Sequence, residues 1–193
     1  MSDLEVIAAD ASTCTRCPLA GGRTQVVFGR GDPGADLMFV GEGPGADEDA
    51  AGLPFVGRSG KLLDRLIAEE MGLSRADVYV ANVVKCRPPG NRDPLPEEMA
   101  ACRPWLDAQI DRVDPRVVVT LGNVATRALL DRPDGITKLR GRAYPWNRRQ
   151  LIPTYHPSAA LRGSPGVMAA MRGDLVRAKL ALAAASSVGS PAG

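Results

Sequence analysis

Four short runs of apolar residues, at positions 37–40, 78–81, 117–121 and 151–154, limit this chain more than any other feature. Each run is continuous rather than alternating, the pattern of a strand whose two faces are both covered. Pro153 makes the last run the weakest, because a residue without an N–H suits a strand end or an edge. Helical patterns separate and follow the runs. Residues 59–71 carry apolar side chains at 62, 63, 66, 67 and 71, with Ser59 as cap and Gly72 as stop. Residues 96–113 open with Pro-Glu-Glu, which suits a first helical turn; 123–130 and 167–184 are the other two helices. Strands that alternate with helices pair in parallel and are covered on both sides. The expected architecture is an α/β fold, a three-layer αβα sandwich around a central parallel sheet of about four strands. It forms one domain over residues 1–184, followed by a flexible tail at 185–193.

The ends of the expected strands gather the chemistry. Gly41-Glu-Gly-Pro-Gly45, Asn82-Val-Val-Lys-Cys86, Gly122-Asn123 and Tyr155-His-Pro-Ser158 each follow one run directly. In an open parallel sheet the ligand crevice lies beyond the carboxyl ends of the strands. The topology therefore brings the single His, an Asn, several acids and flexible Gly loops to one edge, as a cleft requires. Residues 87–96, with four prolines, form a loop beside it.

The net charge of +2 conceals an asymmetry: residues 1–115 hold 12 basic and 19 acidic side chains, residues 116–193 hold 12 basic and 3 acidic. A one-sided positive field of this kind suits a polyanionic partner. No apolar run approaches the roughly 20 residues that span a bilayer, which argues against a membrane partner. The acidic N-terminal residues do not read as a secretory signal, so the expectation is a soluble cytoplasmic protein.

Cys14 and Cys17 form a CxxC knuckle, and Cys86 and Cys102 are separated by fifteen residues. Two thiolates three positions apart chelate one centre from a tight turn, and two distant thiolates complete a four-sulfur shell. Zinc and an iron–sulfur cluster both accept such a set. One knuckle plus two isolated cysteines is less like a zinc ribbon and favours a cluster. Small buried core cysteines are the plain alternative for Cys86 and Cys102.

Several separated motifs, in order, carry a family resemblance. Gly41-Glu-Gly-Pro-Gly-Ala-Asp-Glu-Asp49, Leu53-Pro-Phe-Val-Gly57, Asn82-Val-Val-Lys-Cys-Arg-Pro-Pro89 and His156-Pro-Ser-Ala-Ala-Leu-Arg162 resemble those of the iron–sulfur, family 4 uracil-DNA glycosylases, from about Cys14 to the last helix. The resemblance implies a [4Fe-4S] cluster on Cys14, Cys17, Cys86 and Cys102, zinc being the lesser choice. It also implies hydrolysis of the N-glycosidic bond of deoxyuridine in single- or double-stranded DNA, the first step of base excision repair. With no heptad or long apolar edge in the sequence, a monomer is the expected state.

By the same resemblance His156 donates a hydrogen bond to uracil O2 as charge grows on the leaving base. Glu42, or Glu48 six residues on, positions the attacking water or faces the sugar cation, with Glu42 ranked first; the alternative role for Glu48 is to exclude a 5-methyl group. Gly41, Gly43, Phe55 and Asn82 form the uracil pocket, Phe55 by stacking and Asn82 by pairing with N3–H and O4. Related enzymes carry a catalytic Asp at the position of Gly43, so the water-activating group is an open question here. Asp47 and Asp49 are expected to cap a helix or stay solvated.

The resemblance also implies that Leu161 is the wedge that fills the space of an extruded base and that Arg162 meets the DNA, with Ser158 expected to bond a flanking phosphate. Lys138, Arg140, Arg142, Arg148 and Arg149 are expected to attract phosphate, as are Lys85 and Arg87. The X-type relatives link covalently to DNA through a His in an insertion after the second strand. Residues 87–96 contain no His, so that route is closed. Two rivals stand beside this reading. A non-catalytic iron–sulfur nucleic-acid binder would not need Glu42, Asn82 and His156 together. A nucleotide-binding redox enzyme would need GxGxxG or a P-loop lysine, and Gly41–Gly45 has neither.

Overall fold

The computed structural model describes residues 3–163 and 165–188. All four apolar runs are strands: β2 (Leu37–Gly41), β3 (Tyr79–Asn82), β4 (Val117–Leu121) and β6 (Arg149–Thr154). They form the parallel centre of a sheet whose order is β1-β3-β2-β4-β6-β5. The sheet has six strands rather than about four. The additions are β1 (Arg30–Gly31), antiparallel to β3, and β5 (Tyr144–Trp146), antiparallel to β6. Neither has an apolar run to announce it, because an edge strand of two or three residues is held by backbone bonds rather than by two buried faces. Pro153 lies inside β6 opposite Thr120 of β4. Pairing with β5 stops at Leu151, so no ladder bond from residue 153 toward β5 is lost.

Continuous apolarity has the expected cause. Met38 and Val40 pack into one core with Tyr79, Ala81, Val118 and Leu151; Leu37 and Phe39 pack into the opposite core with Val80, Val117, Val119 and Ile152. The first core is covered by α1 (Asp3–Ser12), α4 (Pro96–Val113) and α5 (Asn123–Leu130), the second by α3 (Arg58–Leu66) and α8 (Pro165–Val188). The chain moves outward from β2 to β3 through α3, then back across β2 to β4 through α4. Right-handed crossovers in opposite directions place those helices on opposite faces. The order therefore reverses between β2 and β4, and the switch point of the sheet falls there.

Helix 96–113 and helix 123–130 have the bounds read from the sequence. Three expectations need correction. The cap of α3 is Gly57 and not Ser59, and a π-helical turn extends α3 through Ile67–Met71 to the stop at Gly72. The last helix runs to Val188, so residues 185–188 are helical; Ser164 and residues 189–193 lie outside the described residues. Four helices lacked a signal long enough to read: α1, α2 (Ala46–Ala51), α6 (Ile136–Leu139) and α7 (Pro157–Leu161). Among the described residues no helix is long and apolar enough to cross a membrane.

One buried ion pair ties α8 to the strand that leads into the polar loops. Asp174, fully buried, accepts from Arg140 at 2.9 and 2.8 Å and from the Thr154 hydroxyl at 2.8 Å. Arg140 is thus a structural partner and not the phosphate contact its charge suggested. Removing one member of such a pair leaves an uncompensated buried charge. Asp174→Ala is expected to cost about 3–5 kcal/mol in urea unfolding.

Candidate active site and cysteine centre

The loops that leave β2, β3, β4 and β6 enclose a cleft of about 680 Å³, lined among others by Glu42, Phe55, Asn82, Asp93, Gly122 and His156. The parallel ladder sets its inner wall. Gly41 pairs with Asn82, and bonds from Val83 N–H to Gly41 O (2.9 Å) and Val84 N–H to Glu42 O (3.1 Å) carry the pairing beyond the strands. Glu42 and Asn82 are thereby set on neighbouring chains at the mouth of the switch point.

Asn82 is 1% exposed, and its Oδ1 has no hydrogen-bond partner. An unpaired buried acceptor is costly, and in a cleft wall it is an acceptor reserved for a ligand. Phe55 lies beside it, buried, with its ring centroid 5.9 Å from that of His156 at 34°. A Cβ on Gly41 would stand 2.4 Å from Asn82 Oδ1 and 2.6 Å from Phe55 Cζ. The backbone of Phe55 is held at φ 55, a left-handed conformation unusual for an aromatic residue, and Gly60 admits its carbonyl, which would lie 1.7 Å from a Cβ there. Gly43 also borders the cleft, where a Cβ would meet Val84 at 2.8 Å.

His156 caps α7. Its Nδ1 accepts from the Ser158 backbone N–H at 3.2 Å and bonds the Ser158 hydroxyl at 2.8 Å. An Nδ1 that accepts leaves the ring proton on Nε2. Burial, reinforced by the positive Arg162, lowers the imidazole to about 4, with Glu48 pulling the other way. His156 is therefore a neutral N–H donor at pH 7. Ser158, expected to hold phosphate, orients this ring.

The carboxylates divide their work. Glu48 accepts from the N–H groups of Gly45 (3.1 Å), Val56 (3.0 Å) and Gly57 (2.9 Å), so it lines the cleft as the anchor of the Phe55 loop. Asp49 is buried, accepting from Thr24 N–H at 2.9 Å, and fixes the N-terminal segment instead of standing solvated. Glu42 has no such anchor. Burial first, and then the charge and hydrogen bond of Asp93, together raise its carboxyl to about 7. Asp93 was not foreseen, although it is the one acid in the Pro-rich loop 87–96; Arg58, also on the cleft, was likewise missed.

Leu161, 38% exposed, and Arg162, exposed, stand at the C-terminal end of α7. The other basic residues sort differently from their expectation. Arg149 is buried against Asp114 at 2.5 Å, Lys138 pairs with Asp134 at 2.6 Å, and Arg142 and Arg148 are exposed. Lys85 is 1% exposed and is not available to phosphate.

The four cysteines line one hollow between the N-terminal knuckle, the loop after β3 and α4. Nitrogen donors face three of the sulfurs: Trp105 Nε1 to Cys14 at 3.4 Å, Arg23 to Cys86 at 3.5 Å and Lys85 N–H to Cys102 at 3.3 Å. Among the described residues no three His, Cys, Asp or Glu side chains converge on the position of a single metal ion.

A parallel sheet that presents an imidazole donor, a carboxyl pair and a sealed amide acceptor in one cleft belongs to a known class: residues 28–176 match the Uracil DNA glycosylase superfamily. The chain is 49% identical over 161 residues to the Type-4 uracil-DNA glycosylase of Thermotoga maritima, covering 82% of this chain and 83% of the relative. It is 47% identical over 169 residues to that of Sulfurisphaera tokodaii, covering 83% and 77% respectively. A Type-5 uracil-DNA glycosylase of Thermus thermophilus is 32% identical over 81% of this chain and 87% of its own length. The chain belongs to the type-4 uracil-DNA glycosylase family.

Gly41→Ala should displace Phe55 or Asn82 while leaving the sheet intact. The expected outcome is an unchanged circular dichroism spectrum and a loss of about 100-fold in kcat/KM on a uracil-containing oligonucleotide, of the size that a misplacement of about 1 Å produces.

Proposed function

We propose that the cleft excises uracil from DNA by hydrolysis of its N-glycosidic bond, leaving an abasic site. The observation that carries this reading is Asn82 Oδ1, a buried acceptor with no partner, beside a neutral His156 and the face of Phe55. Uracil presents an N3–H donor between two carbonyl acceptors. Asn82 accepts from N3–H and its amide N–H donates to O4, while Phe55 stacks on the ring. Cytosine has no hydrogen on N3 and a donor at C4, so both contacts are lost, at roughly 1–3 kcal/mol for each unmet buried group.

Cleavage places negative charge on the departing base and positive charge on the sugar. His156 Nε2–H donates to O2 as that charge grows, and its neutrality at pH 7 means it needs no prior proton loss. Glu42 faces the sugar and holds the attacking water; a carboxylate poised near 7 is well matched to accept a proton from it. Glu48 acts at one remove, by keeping Phe55 in place. A base in a duplex must first leave the stack, and Leu161 fills the gap while Arg162 meets the strand. Single-stranded DNA reaches the same cleft without that cost. A non-catalytic binder has no use for a carboxyl raised toward neutrality beside a preset donor.

The cysteine hollow fits a [4Fe-4S] cluster held by Cys14, Cys17, Cys86 and Cys102. Its donors are all thiols, N–H groups face the sulfurs, and a ring of sulfurs around a hollow suits a polynuclear centre better than zinc. Its contribution is architectural: four protein ligands leave no open position, and the centre binds the N-terminal segment to α4 and the loop after β3. Free thiols accord with a reducing cytoplasm. Of the exposed large apolar side chains, Val6, Leu95 and Leu161 lie on separate elements and Val176 and Leu180 share α8, too small a patch to demand a partner, which supports a monomer. Cys86→Ser is expected to yield protein with less iron per chain and a lower Tm, read by iron assay and thermal melting.

Uracil excision is tested with a uracil-containing oligonucleotide and alkaline scission of the product. His156→Ala and Glu42→Gln should each lose about 100-fold or more in kcat. Glu42 must be ionised to act, so kcat should rise with pH through about 7. Asp93→Asn removes a group that raises Glu42 and should move this limb to lower pH. His156 contributes no limb above about 4. Unchanged excision by both site variants would overturn the assignment.

A further inference from the structure

Lys85 touches both the cysteine hollow and the uracil wall. It is 1% exposed, so its charge is withdrawn from water at a cost. Nζ donates to the main-chain carbonyl of Asn82 at 2.7 Å and to Gln109 Oε1 at 2.5 Å. Gln109, fully buried on α4, donates in turn to Phe28 O at 2.8 Å and to the Tyr79 hydroxyl at 3.2 Å. The backbone N–H of the same lysine donates to Cys102 Sγ at 3.3 Å. Cys102 and Gln109 stand seven residues apart on α4, so both ends of Lys85 are fastened to one helix.

An apolar side chain of similar length would fill this volume without desolvating a charge, but it would leave the Asn82 carbonyl and Gln109 Oε1 without their donor. Packing alone does not account for an ammonium here. Its reach does: it ends on the backbone of the residue whose side chain is the unpaired acceptor of the cleft, at the point where β3 has run out of ladder partners except Gly41.

We propose that Lys85 is a positioning residue for base recognition: by tying the Asn82 carbonyl to Gln109, it holds the Asn82 amide in register with α4, the helix that carries Cys102. Base reading is thereby coupled to the seating of α4 on the cysteine centre. The inference rests on the uracil-excision reading and acts entirely through Asn82.

A double-mutant cycle of Lys85→Met and Asn82→Ala on uracil-containing DNA tests this, with the iron–sulfur absorbance of each purified protein measured alongside. Lys85→Met is expected to keep the absorbance and to lose about tenfold or more in kcat/KM, and to have little further effect once Asn82 is already alanine. Rescue should follow from no other pocket residue: in a His156→Ala background the Lys85→Met loss should persist in full. Should Lys85→Met fail to retain the absorbance, Gln109→Leu replaces it in the cycle, since it removes the Nζ tie to α4 while leaving the residue beside the cysteine hollow unchanged, and the same results decide. Parental activity in a variant with intact absorbance overturns the proposal, as does a loss of equal size with and without the Asn82 amide, which marks a general structural role. A parent protein that does not excise uracil overturns the functional reading instead, so the two failures are distinct.

Discussion

The parallel pairing that sets Gly41 opposite Asn82 is the constraint from which the rest of this site follows. The ladder puts the Glu42 and Asn82 chains side by side, and the missing side chain at Gly41 lets the Phe55 ring close on both. A side chain of any size there would push apart the two surfaces that must hold a flat base. The price is a strained Phe55 backbone, which Glu48 sustains with bonds to Val56 and Gly57, and Gly60 by giving way to the Phe55 carbonyl. The pocket is thus built before its ligand arrives, and little binding energy is spent on shaping it.

Electrostatics follow the same economy. The imidazole is neutral because it is buried near Arg162, and its tautomer is set by the Ser158 amide. The opposing carboxyl is raised by burial and by Asp93. On the proposed reading the imidazole is uncharged and the carboxyl poised near neutrality in the resting cleft, so each interaction strengthens mainly as the glycosidic bond breaks. That is the differential binding on which catalysis depends.

The family resemblance read from four separated motifs agrees with the superfamily match and with the type-4 relatives; Glu42, Gly43, Glu48, Phe55, Asn82 and His156 line one cleft, and the four cysteines line a separate hollow. Charge was a poorer guide. The basic second half suggested a phosphate surface, yet Arg140 is bound to the buried Asp174, Arg149 is itself buried against Asp114, and Lys85, in the first half, is sealed inside. A formal charge in a sequence has no direction; only packing tells whether a guanidinium faces solvent or a carboxylate in the core. Asp93 was overlooked for the reverse reason, since an acid in a proline-rich loop has meaning only when the fold brings it to Glu42.

Sequence alone determined the layered α/β architecture, because a strand buried on both faces must be apolar at every position and a covering helix must be apolar along one side. It also determined the edge on which the chemistry gathers, since residues that directly follow parallel strands have nowhere else to go. The short edge strands, the π-helical turn, the division of labour between Glu42 and Glu48 and the burial of Lys85 were decided by tertiary structure. Each depends on which backbone N–H or carbonyl lies within about 3 Å of a side chain, and that distance is set by contacts between segments far apart in the chain.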